Sequence, residues 1–414
     1  MQTNLASWIK DTPEGIAADA ILRSCVHCGF CLATCPTYNL LGDELDSPRG
    51  RIYLMKQVLE GEPVTEKTQL HLDRCLTCRS CESTCPSGVQ YGRLLDIGRE
   101  VVEKKVGRSF SDGVQRALLK SLLPRTALFT AGLAIGRALK PLLPRALAKK
   151  IPAMRLPGVR PAPRHTRQML ILEGCVQPAM APSINAATAR VLDKLGISTI
   201  AVEGAGCCGA IAHHLNDPHA SHAAIKRNID VWWPYIAAGA EGIVVTASGC
   251  GTMVQDYGHV LRNDADYAEK ARRVSELFRD VSQVVAAESL ALSKLLTGQR
   301  PASKKIAFHS PCSLQHGLKI KGVVEGLLRD AGYELTFVPD GHLCCGSAGT
   351  YSILQSELSQ QLLANKVKAL ESGAPQMVAT ANIGCLAHIE GGLNGSSQVP
   401  IRHWIELIDE RLSG

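Results

Sequence analysis

Residues 25–36 read CVHCGFCLATCP, and residues 75–86 read CLTCRSCESTCP. Both stretches place four cysteines in the spacing C-x2-C-x2-C-x3-C and follow the last one with proline. The eight cysteines are Cys25, Cys28, Cys31 and Cys35 in the first run and Cys75, Cys78, Cys81 and Cys85 in the second. They make up half of the 16 cysteines in a chain of 414 residues, so the doubled run decides what the first part of the chain folds around.

This spacing is that of the bacterial ferredoxin run, in which the fourth cysteine ligates the other of two clusters. Three cysteines wrap a tight loop around one 4Fe–4S cluster, and the fourth, followed by Pro36 or Pro86, points away. The predicted ligand sets are therefore crossed: Cys25, Cys28, Cys31 and Cys85 for cluster 1, and Cys75, Cys78, Cys81 and Cys35 for cluster 2. Two structural zinc sites are the alternative, but zinc favours separated C-x2-C pairs over four thiols in one run.

The stretch between the runs, SPRGRIYLMKQVLEG, predicts a helix. Ser47 is a good N-cap, Pro48 suits the first helical position, and Gly61 suits the position after the last turn. We therefore predict that residues 1–105 form an α-helical two-cluster ferredoxin-like domain rather than the short β-hairpin kind. Arg49 and Arg51 at the helix start fit two interpretations: they neutralise reduced clusters or pair with a partner, or they are solvated.

Residues 166–414 contain the same cysteine pattern twice. Cys175 to Cys312 is 137 residues, Cys207 to Cys344 is also 137, and Cys250 to Cys385 is 135. Such a period indicates duplicated domains, which we place at 166–298 and 299–414. Apolar strand-like runs alternate with helical stretches, and each repeat closes with a similar helix, VSELFRDVSQVV or HWIELIDERL. The predicted fold class is α+β multidomain: the helical ferredoxin, then two α/β cysteine-rich domains with parallel sheets.

Each repeat places its cysteines after predicted strands, where ligands bind in parallel sheets. The cysteines are Cys175, Cys207, Cys208 and Cys250, then Cys312, Cys344, Cys345 and Cys385. They are predicted to bind one or two further iron–sulfur clusters, although a redox-active thiol pair, zinc or a structural role are alternatives. Nearby histidines are more often supporting or surface residues than ligands: His213, His214, His309, His342 and His388.

No flavin or nicotinamide site is predicted on this chain. Residues 204–209, GAGCCG, match the dinucleotide fingerprint G-x-G-x-x-G. However, the second repeat replaces Gly206 by Leu343 and keeps the paired cysteines. The glycines therefore serve the cysteine site, where they let the backbone approach a bulky cluster.

The segment 106–165 is predicted to hold basic amphipathic helices and a proline-rich linker. Residues 101–170 contain fifteen Lys or Arg and two acidic residues, whereas the whole chain has a net charge of +7. This pattern fits either docking on an anionic membrane surface or a solvated connector. No nucleic-acid partner is predicted, because no aromatic-basic reader motif accompanies the charge. The N-terminus lacks the apolar run of a signal peptide, which favours an intracellular chain with reduced thiols.

Taken together, these motifs resemble the family of iron–sulfur subunits of bacterial glycolate oxidase, also called glycolate dehydrogenase. The resemblance runs nearly end to end, through CVHCGFC, LGDELDSPRGRIYL, HLDRCLTC, LEGC, NAATARVLDKLGIS, AGCCGA, NIDVWWP, TASGCG, HLCCGSAGTY, TANIGC and RHWIE. It implies oxidation of glycolate to glyoxylate by two FAD flavoprotein partner subunits, with this chain passing electrons toward a membrane acceptor such as quinone. It also implies a peripheral place on the cytoplasmic side of the inner membrane, no catalytic residue here, and no activity of the isolated chain on glycolate.

Related architectures keep other functions open. An iron–sulfur subunit of a lactate or glycerol-3-phosphate dehydrogenase is one, a heterodisulfide-reductase-like thiol redox protein is another, and an iron–sulfur sensor or scaffold is a third. Heterodisulfide-reductase-like domains end in C-x2-C, with the second cysteine ligating a noncubane cluster. Here those positions are Met253 and His388, which puts that cluster in doubt and leaves four cysteines in each repeat.

Overall fold

The structure is a computed structural model that describes residues 1–142, 151–299, 302–397 and 399–413. It divides into two compact units. The first contains Met1–Ala117, His214–Asn216 and His342–Lys366, and the second contains Leu118–His213, Asp217–Gly341 and Val367–Gly414. Part of the predicted basic linker, including Pro144, Lys149 and Lys150, lies outside the described residues.

The first unit is helical, and no strand occurs among its described residues. Its helices are Pro13–Ser24, Pro36–Leu41, Pro48–Glu60, Glu66–Asp73, Ser80–Thr84, Tyr91–Lys105 and Tyr351–Leu354, and the helices Phe110–Leu122 and Ser356–Glu371 begin in it. Leu22, Met55, Leu59, Leu94 and Leu95 are fully buried in its core. The prediction of a helical rather than hairpin ferredoxin-like region is thus confirmed.

The helix between the two cysteine runs begins and ends at the predicted residues. The Ser47 hydroxyl accepts a hydrogen bond from the Gly50 amide at 2.9 Å, and Pro48 occupies the first helical turn. Gly61 ends the helix with a φ of 100°, a left-handed conformation that glycine adopts without steric cost. This helix packs against the helix Tyr91–Lys105.

The second unit contains two four-stranded parallel sheets of the same topology. The first has the order β2-β1-β3-β4 and the second has the order β6-β5-β7-β8. The strands are β1 Arg167–Leu172, β2 Ile197–Ile200, β3 Gly242–Val245, β4 Phe278–Asp280, β5 Lys305–His309, β6 Glu334–Leu335, β7 Met377–Thr380 and β8 Ile401–His403. The matching order confirms that the α/β part of the chain is duplicated.

Helices connect and cover the strands of this unit. They are Thr126–Leu139, Gln177–Met180, Ser183–Lys194, Ala210–His214, Pro218–Ala237, Ser248–Gln255, Tyr257–Val260, Ala268–Leu277, Val281–Ala287, Ser289–Leu296, Val323–Asp330, Ile383–Ser396 and Trp404–Ser413. Ser183–Lys194 packs against Trp404–Ser413, where Arg190 and Asp409 form an ion pair at 2.6 Å.

The closing segment of each repeat contains a strand that the sequence analysis missed. VSELFRDVSQVV and HWIELIDERL were expected to be helical, but β4 and β8 precede the helices Val281–Ala287 and Trp404–Ser413. Each strand has only three residues, which is too short for an alternating pattern to stand out. Asp280 at the end of β4 caps the following helix, because its side chain accepts the Ser282 amide at 2.9 Å.

The helix Thr126–Leu139 is described throughout, and none of its residues is buried. In the described part of the chain, no single helix has the length and apolar composition to cross a membrane. The pair Phe110–Leu122 and Thr126–Leu142, bent by 107°, meets that test only when its two members are taken together.

Candidate iron–sulfur centres

Two cavities in the first unit separate the eight ferredoxin-type cysteines into two groups. One cavity, of about 440 Å³, is lined by Cys25, Cys28, Cys31 and Cys85. Cys25 ends the helix Pro13–Ser24, and Cys85 ends the short helix Ser80–Thr84 of the second run. Cys81 also borders this cavity, so the two sites are neighbours.

The other cavity, of about 310 Å³, is lined by Cys35, Cys75, Cys78 and Cys81. Cys35 is the N-cap of the helix Pro36–Leu41, whose first proline carries the chain away from its own loop. The fourth cysteine of each run therefore lies with the first three of the other run, as crossed ligation requires. Which thiolates bind which cluster stays a prediction, and this grouping supports it.

The donor sets of both cavities suit an iron–sulfur cluster. Four cysteines line the Cys35 cavity, and five, counting the shared Cys81, line the Cys25 cavity. Burial raises the pKa of Cys31 to about 11 and that of Cys81 well above its ordinary value. Such thiols stay protonated unless a metal takes the place of the proton. The predicted two clusters thus have a chemically matched site in each cavity.

The two arginines between the runs have different surroundings. Arg51 is 1% exposed and forms an ion pair with the fully buried Asp46 at 3.1 Å. Arg49 is partly exposed and pairs with Glu44 at 2.8 Å. The interpretation of a solvated helix start is therefore wrong for Arg51.

The cysteines of the first repeat lie together because of the strand order. Cys175 follows β1, Cys207 and Cys208 follow β2, and Cys250 follows β3, and these three strands are neighbours in the sheet. Their thiols form a chain of hydrogen bonds from Cys175 to Cys207, from Cys207 to Cys208, and from Cys208 to Cys250. The carboxyl end of this sheet therefore gathers four sulfur ligands.

One member of this group of thiols has a lowered pKa. The Cys175 and Cys208 thiols and the Gly209 amide donate to the Cys207 sulfur, which lowers the pKa of Cys207 below its ordinary value. The same interactions raise the pKa of Cys175 and Cys208. These interactions favour the thiolate form of Cys207, which is the form that binds a metal.

Two polar side chains fix the backbone of the Cys207–Cys208 pair. Asn228 donates to the Cys207 carbonyl at 2.9 Å and accepts from the Gly206 amide at 2.9 Å. The Tyr257 hydroxyl donates to the Cys208 carbonyl at 2.9 Å. Both residues are fully buried, and no sequence motif marked them.

The glycine after each cysteine pair is required by its conformation. Gly209 has a φ of 95°, and an added Cβ would lie 3.2 Å from the Ser221 carbonyl oxygen. Gly346 has a φ of 89°, and its Cβ would lie 2.6 Å from the Ser359 carbonyl oxygen. Both glycine amides point back at the first sulfur of the pair, at 3.5 Å for Cys207 and 3.4 Å for Cys344.

The cysteines of the second repeat are divided between the two compact units. Cys344 and Cys345 belong to the first unit and are buried. Cys312 and Cys385 belong to the second unit and follow the neighbouring strands β5 and β7. In that unit the Asn382 amide donates to the Cys385 sulfur at 3.4 Å.

The predicted histidines have different positions. His309 lies on β5, is 2% exposed, and has a ligand atom within 4.8 Å of the Cys385 sulfur. His213 and His214 end the helix Ala210–His214, directly after the first cysteine pair. His388 lies one turn after Cys385 in the helix Ile383–Ser396, and His342 precedes Cys344 by two residues.

A heterodisulfide-type thiol exchange is not favoured by this geometry. Cys207 is 1% exposed and Cys208 is 3% exposed, so a disulfide substrate has no approach to either sulfur. Buried thiols of this kind are inert in exchange. Met253, at the position of the missing fifth cysteine, is itself buried one turn after Cys250.

Comparison with known proteins agrees with both kinds of site. The sequence model of the 4Fe–4S dicluster domain matches residues 21–89, and that of the cysteine-rich domain matches residues 169–255 and 306–390. The glycolate oxidase iron-sulfur subunit of Escherichia coli (strain K12) is 54% identical over 413 residues, which is 100% of this chain and 99% of that protein. The chain belongs to the family of glycolate oxidase iron–sulfur subunits.

More distant relatives share the same parts. A probable glycolate oxidase iron-sulfur subunit of Bacillus subtilis (strain 168) is 29% identical, with 94% of each chain covered. The lactate utilization protein A of Bacillus licheniformis is 29% identical over 240 residues, which is 57% of this chain and 97% of that protein. The chain is thus an iron–sulfur electron-transfer protein, and the predicted 4Fe–4S chemistry of this family is confirmed.

Proposed function

We propose that this chain is the electron-carrying subunit of a flavin-dependent glycolate dehydrogenase. Glycolate gives up two electrons and two protons to become glyoxylate, and FAD on two partner flavoprotein subunits receives them. This chain then conducts the electrons toward a membrane acceptor such as quinone. A 4Fe–4S cluster, when bound by four thiolates, accepts and releases one electron at a time.

The observation that carries this proposal is the end-to-end identity of 54% with the Escherichia coli glycolate oxidase subunit. The geometry agrees with a carrier rather than a catalyst. Two cysteine-lined cavities lie side by side in the first unit, and a third group of four thiols lies in the second unit at the end of β1, β2 and β3. Cysteines supply the donor atoms in all three groups.

The test asks whether this chain only carries electrons or also oxidises glycolate. The anaerobically purified chain alone should show iron–sulfur absorbance and no glycolate-dependent dye reduction, and addition of the two flavoprotein subunits should restore dye reduction. Turnover by the flavin-free chain would contradict the proposal. A complex that oxidises lactate but not glycolate would instead favour the lactate dehydrogenase alternative.

We further propose that the helix Thr126–Leu139 docks on an anionic lipid bilayer, where a quinone acceptor would be found. Leu128 is 46% exposed, Ile135 is 60% exposed, and Leu139 is 46% exposed. Leu142, just beyond the helix, is 82% exposed. A contiguous apolar surface of this kind on a folded chain indicates an interaction site.

The charged residues around this helix reduce the expected contribution of ionic attraction to membrane docking. Several cations of the basic segment are engaged within the protein: Arg108 and Arg116 pair with Asp73, Lys120 pairs with Asp217, and Arg137 and Lys140 donate to backbone carbonyls. Arg125 at the helix start is exposed and adds a positive charge beside the apolar face. The proposed docking therefore rests on apolar insertion more than on net charge.

A further inference from the structure

A buried arginine, Arg51, lines the cavity that holds Cys35 and Cys75. The Arg51 Nη1 donates to the Thr37 hydroxyl oxygen at 3.1 Å, and this oxygen lies 3.3 Å from the Cys35 sulfur. The Arg51 Nε donates to the His71 carbonyl at 2.7 Å. Every arm of this guanidinium is thus held in place, and Arg51 itself lines the cavity.

A second buried guanidinium is bonded to the backbone at Cys75, one of the cysteines that line this cavity. Arg99 is 8% exposed, and its Nη2 donates to the Cys75 carbonyl at 2.8 Å and to the Leu72 carbonyl at 2.7 Å. Arg74, which is partly exposed, pairs with the far oxygen of Asp46 at 2.9 Å. Two arginines, Arg51 and Arg74, therefore share the buried Asp46 carboxylate with the His71 imidazole, and the half-exposed Glu82 adds a further negative charge near Cys81.

A neutral hydrogen-bond donor points at a sulfur of this cavity. The Tyr91 hydroxyl donates to the Cys75 sulfur at 3.5 Å. Hydrogen bonds to cluster sulfurs and nearby net charge are among the factors that set the reduction potential of a cluster.

The cavity lined by Cys25 and Cys28 has weaker fixed charges. Arg49 is 35% exposed at its side chain and pairs with the more exposed Glu44. The Met1 amino group donates to the Cys25 carbonyl at 2.9 Å. Cys28 itself is exposed, so water screens the charges on this side.

We propose that Arg51 raises the reduction potential of the cluster bound by Cys35, Cys75, Cys78 and Cys81, and so makes it the first of the two to be reduced. Reduction adds one negative charge, and a buried cation that is already oriented stabilises that charge more than exposed, screened groups do. The cluster in the neighbouring cavity is then the second of the two to be reduced. The proposal rests on the electron-carrying function and names the site within this chain at which an electron is held.

The test measures midpoint potentials of the full chain by EPR during an anaerobic chemical titration, without substrate or partner subunits. Arg51→Met should make reduction of one cluster at least tenfold less favourable, which for one electron is about 59 mV. Arg49→Met should change either midpoint by less than that. Arg51→Lys keeps the charge and should retain most of the wild-type potential.

Two further variants identify the cluster and guard against loss of folding. Tyr91→Phe should lower the same midpoint as Arg51→Met, because both act on the Cys75 cavity. Asp46→Asn leaves Arg51 without its counter-charge and should raise that midpoint. If Arg51→Met fails to retain iron, this variant tests the effect of the Arg51 charge instead. Unchanged midpoints in iron-replete variants, or a larger shift in Arg49→Met, would overturn the proposal. Neither result would bear on glycolate oxidation by the complex.

Discussion

The Tyr351 hydroxyl donates a hydrogen bond to the backbone carbonyl of Arg74, 3.1 Å away. Tyr351 follows the second cysteine pair by six residues, and Arg74 directly precedes Cys75. Burial raises the pKa of Tyr351, so its hydroxyl stays a donor. The segment His342–Lys366 of the second repeat is therefore part of the unit that contains the ferredoxin-type cavities.

This bond gives a first prediction about stability. Tyr351→Phe removes one largely buried hydrogen bond and leaves the ring in place, so the full chain should lose about 1 kcal/mol of unfolding free energy. Anaerobic urea unfolding followed by cluster absorbance measures the loss. Tyr53→Phe, at a side chain that is 48% exposed on the helix Pro48–Glu60, is the control and should leave the midpoint unchanged. Equal midpoints for all three proteins would contradict the assigned role.

Crossed ligation leads to a second prediction. Cys35→Ser should damage the cluster held by Cys75, Cys78 and Cys81, and Cys85→Ser should damage the one held by Cys25, Cys28 and Cys31, because each lies in that cavity. EPR of the reduced variants distinguishes the two signals. Arg51→Met, which perturbs the Cys75 cavity without removing a ligand, tells which signal belongs to which site. Loss of the same-run cluster in both variants would show that the ligand sets are not crossed.

Membrane docking is open to a third test. Replacing Leu128, Ile135 and Leu139 by Ser should weaken co-sedimentation with phosphatidylglycerol-containing vesicles by about tenfold or more, since each change removes apolar area that inserts into lipid. Salt should have little influence, because most described cations near the helix are engaged within the protein. The control carries Ser at Leu290 and Phe337, which are both 81% exposed elsewhere. If the triple variant binds vesicles as well as the wild type does, this helix is a connector and does not dock on lipid.

Features of the fold that depend on short sequence patterns could be predicted from the sequence. The spacing within each cysteine run was enough to predict that Cys35 joins the second group, because the rule for such runs already contains the crossing. That Cys175, Cys207 and Cys250 follow strands of a parallel sheet was predicted from the alternation of strands and helices, whereas the order β2-β1-β3-β4 was not. The predicted features needed no knowledge of contacts between distant parts of the chain.

Other features could not be read from the sequence. The strands β4 and β8 have three residues each and carry no alternating pattern. The contact of Tyr351 with Arg74 joins residues 277 positions apart, and no motif marks either of them. The net charge of the basic segment suggested a free cationic surface, but Asp73 and Asp217, which lie outside that segment, neutralise part of it.

A buried histidine gives a prediction about pH. His403 is fully buried, and burial lowers its pKa from 6.5 to about 4, with its Nε2 3.0 Å from the Thr246 carbonyl oxygen and its Nδ1 accepting from the Ile405 amide. The unfolded chain binds a proton at this position below about pH 6.5 and the folded chain does not, so stability falls as the pH falls. Between about pH 7.5 and pH 5.5 the loss should be about 1 kcal/mol.

The measurement must separate the effect of His403 on the pH dependence of stability from that of Asp280, which acts in the opposite direction. Burial raises the pKa of Asp280 to about 6, so the folded chain binds that proton more readily and gains stability as the pH falls. Urea midpoints of His403→Gln and the wild type should therefore be compared at both pH values. The variant, which cannot be charged, should lose less stability on acidification than the wild type. Parallel pH profiles would contradict the assignment of a neutral His403.

The last prediction concerns the cysteines of the first repeat. Their thiols are hydrogen-bonded to one another, the pKa of Cys207 is lowered by these bonds, and Asn228 and Tyr257 fix the backbone of the pair, so the site is suited to a metal centre. Cys175→Ser and Cys208→Ser in the full chain should each lower bound iron and sulfide by about four atoms, the content of one 4Fe–4S cluster. Fragments are unsuitable, because a cut before residue 166 would separate Tyr351 from Arg74, which pack in one unit.

Two controls make the iron count decisive. Met253→Leu changes a buried residue one turn from Cys250 without removing a sulfur ligand of the set, and it should keep the full iron content. The EPR signals of the two ferredoxin-type clusters should be unchanged in every variant of the first repeat, since Cys175 and Cys208 belong to the second unit. If folded Cys175→Ser and Cys208→Ser proteins retain the iron and sulfide of the wild type, these thiols bind no cluster, and the low pKa of Cys207 serves the hydrogen-bonded packing of the four thiols instead.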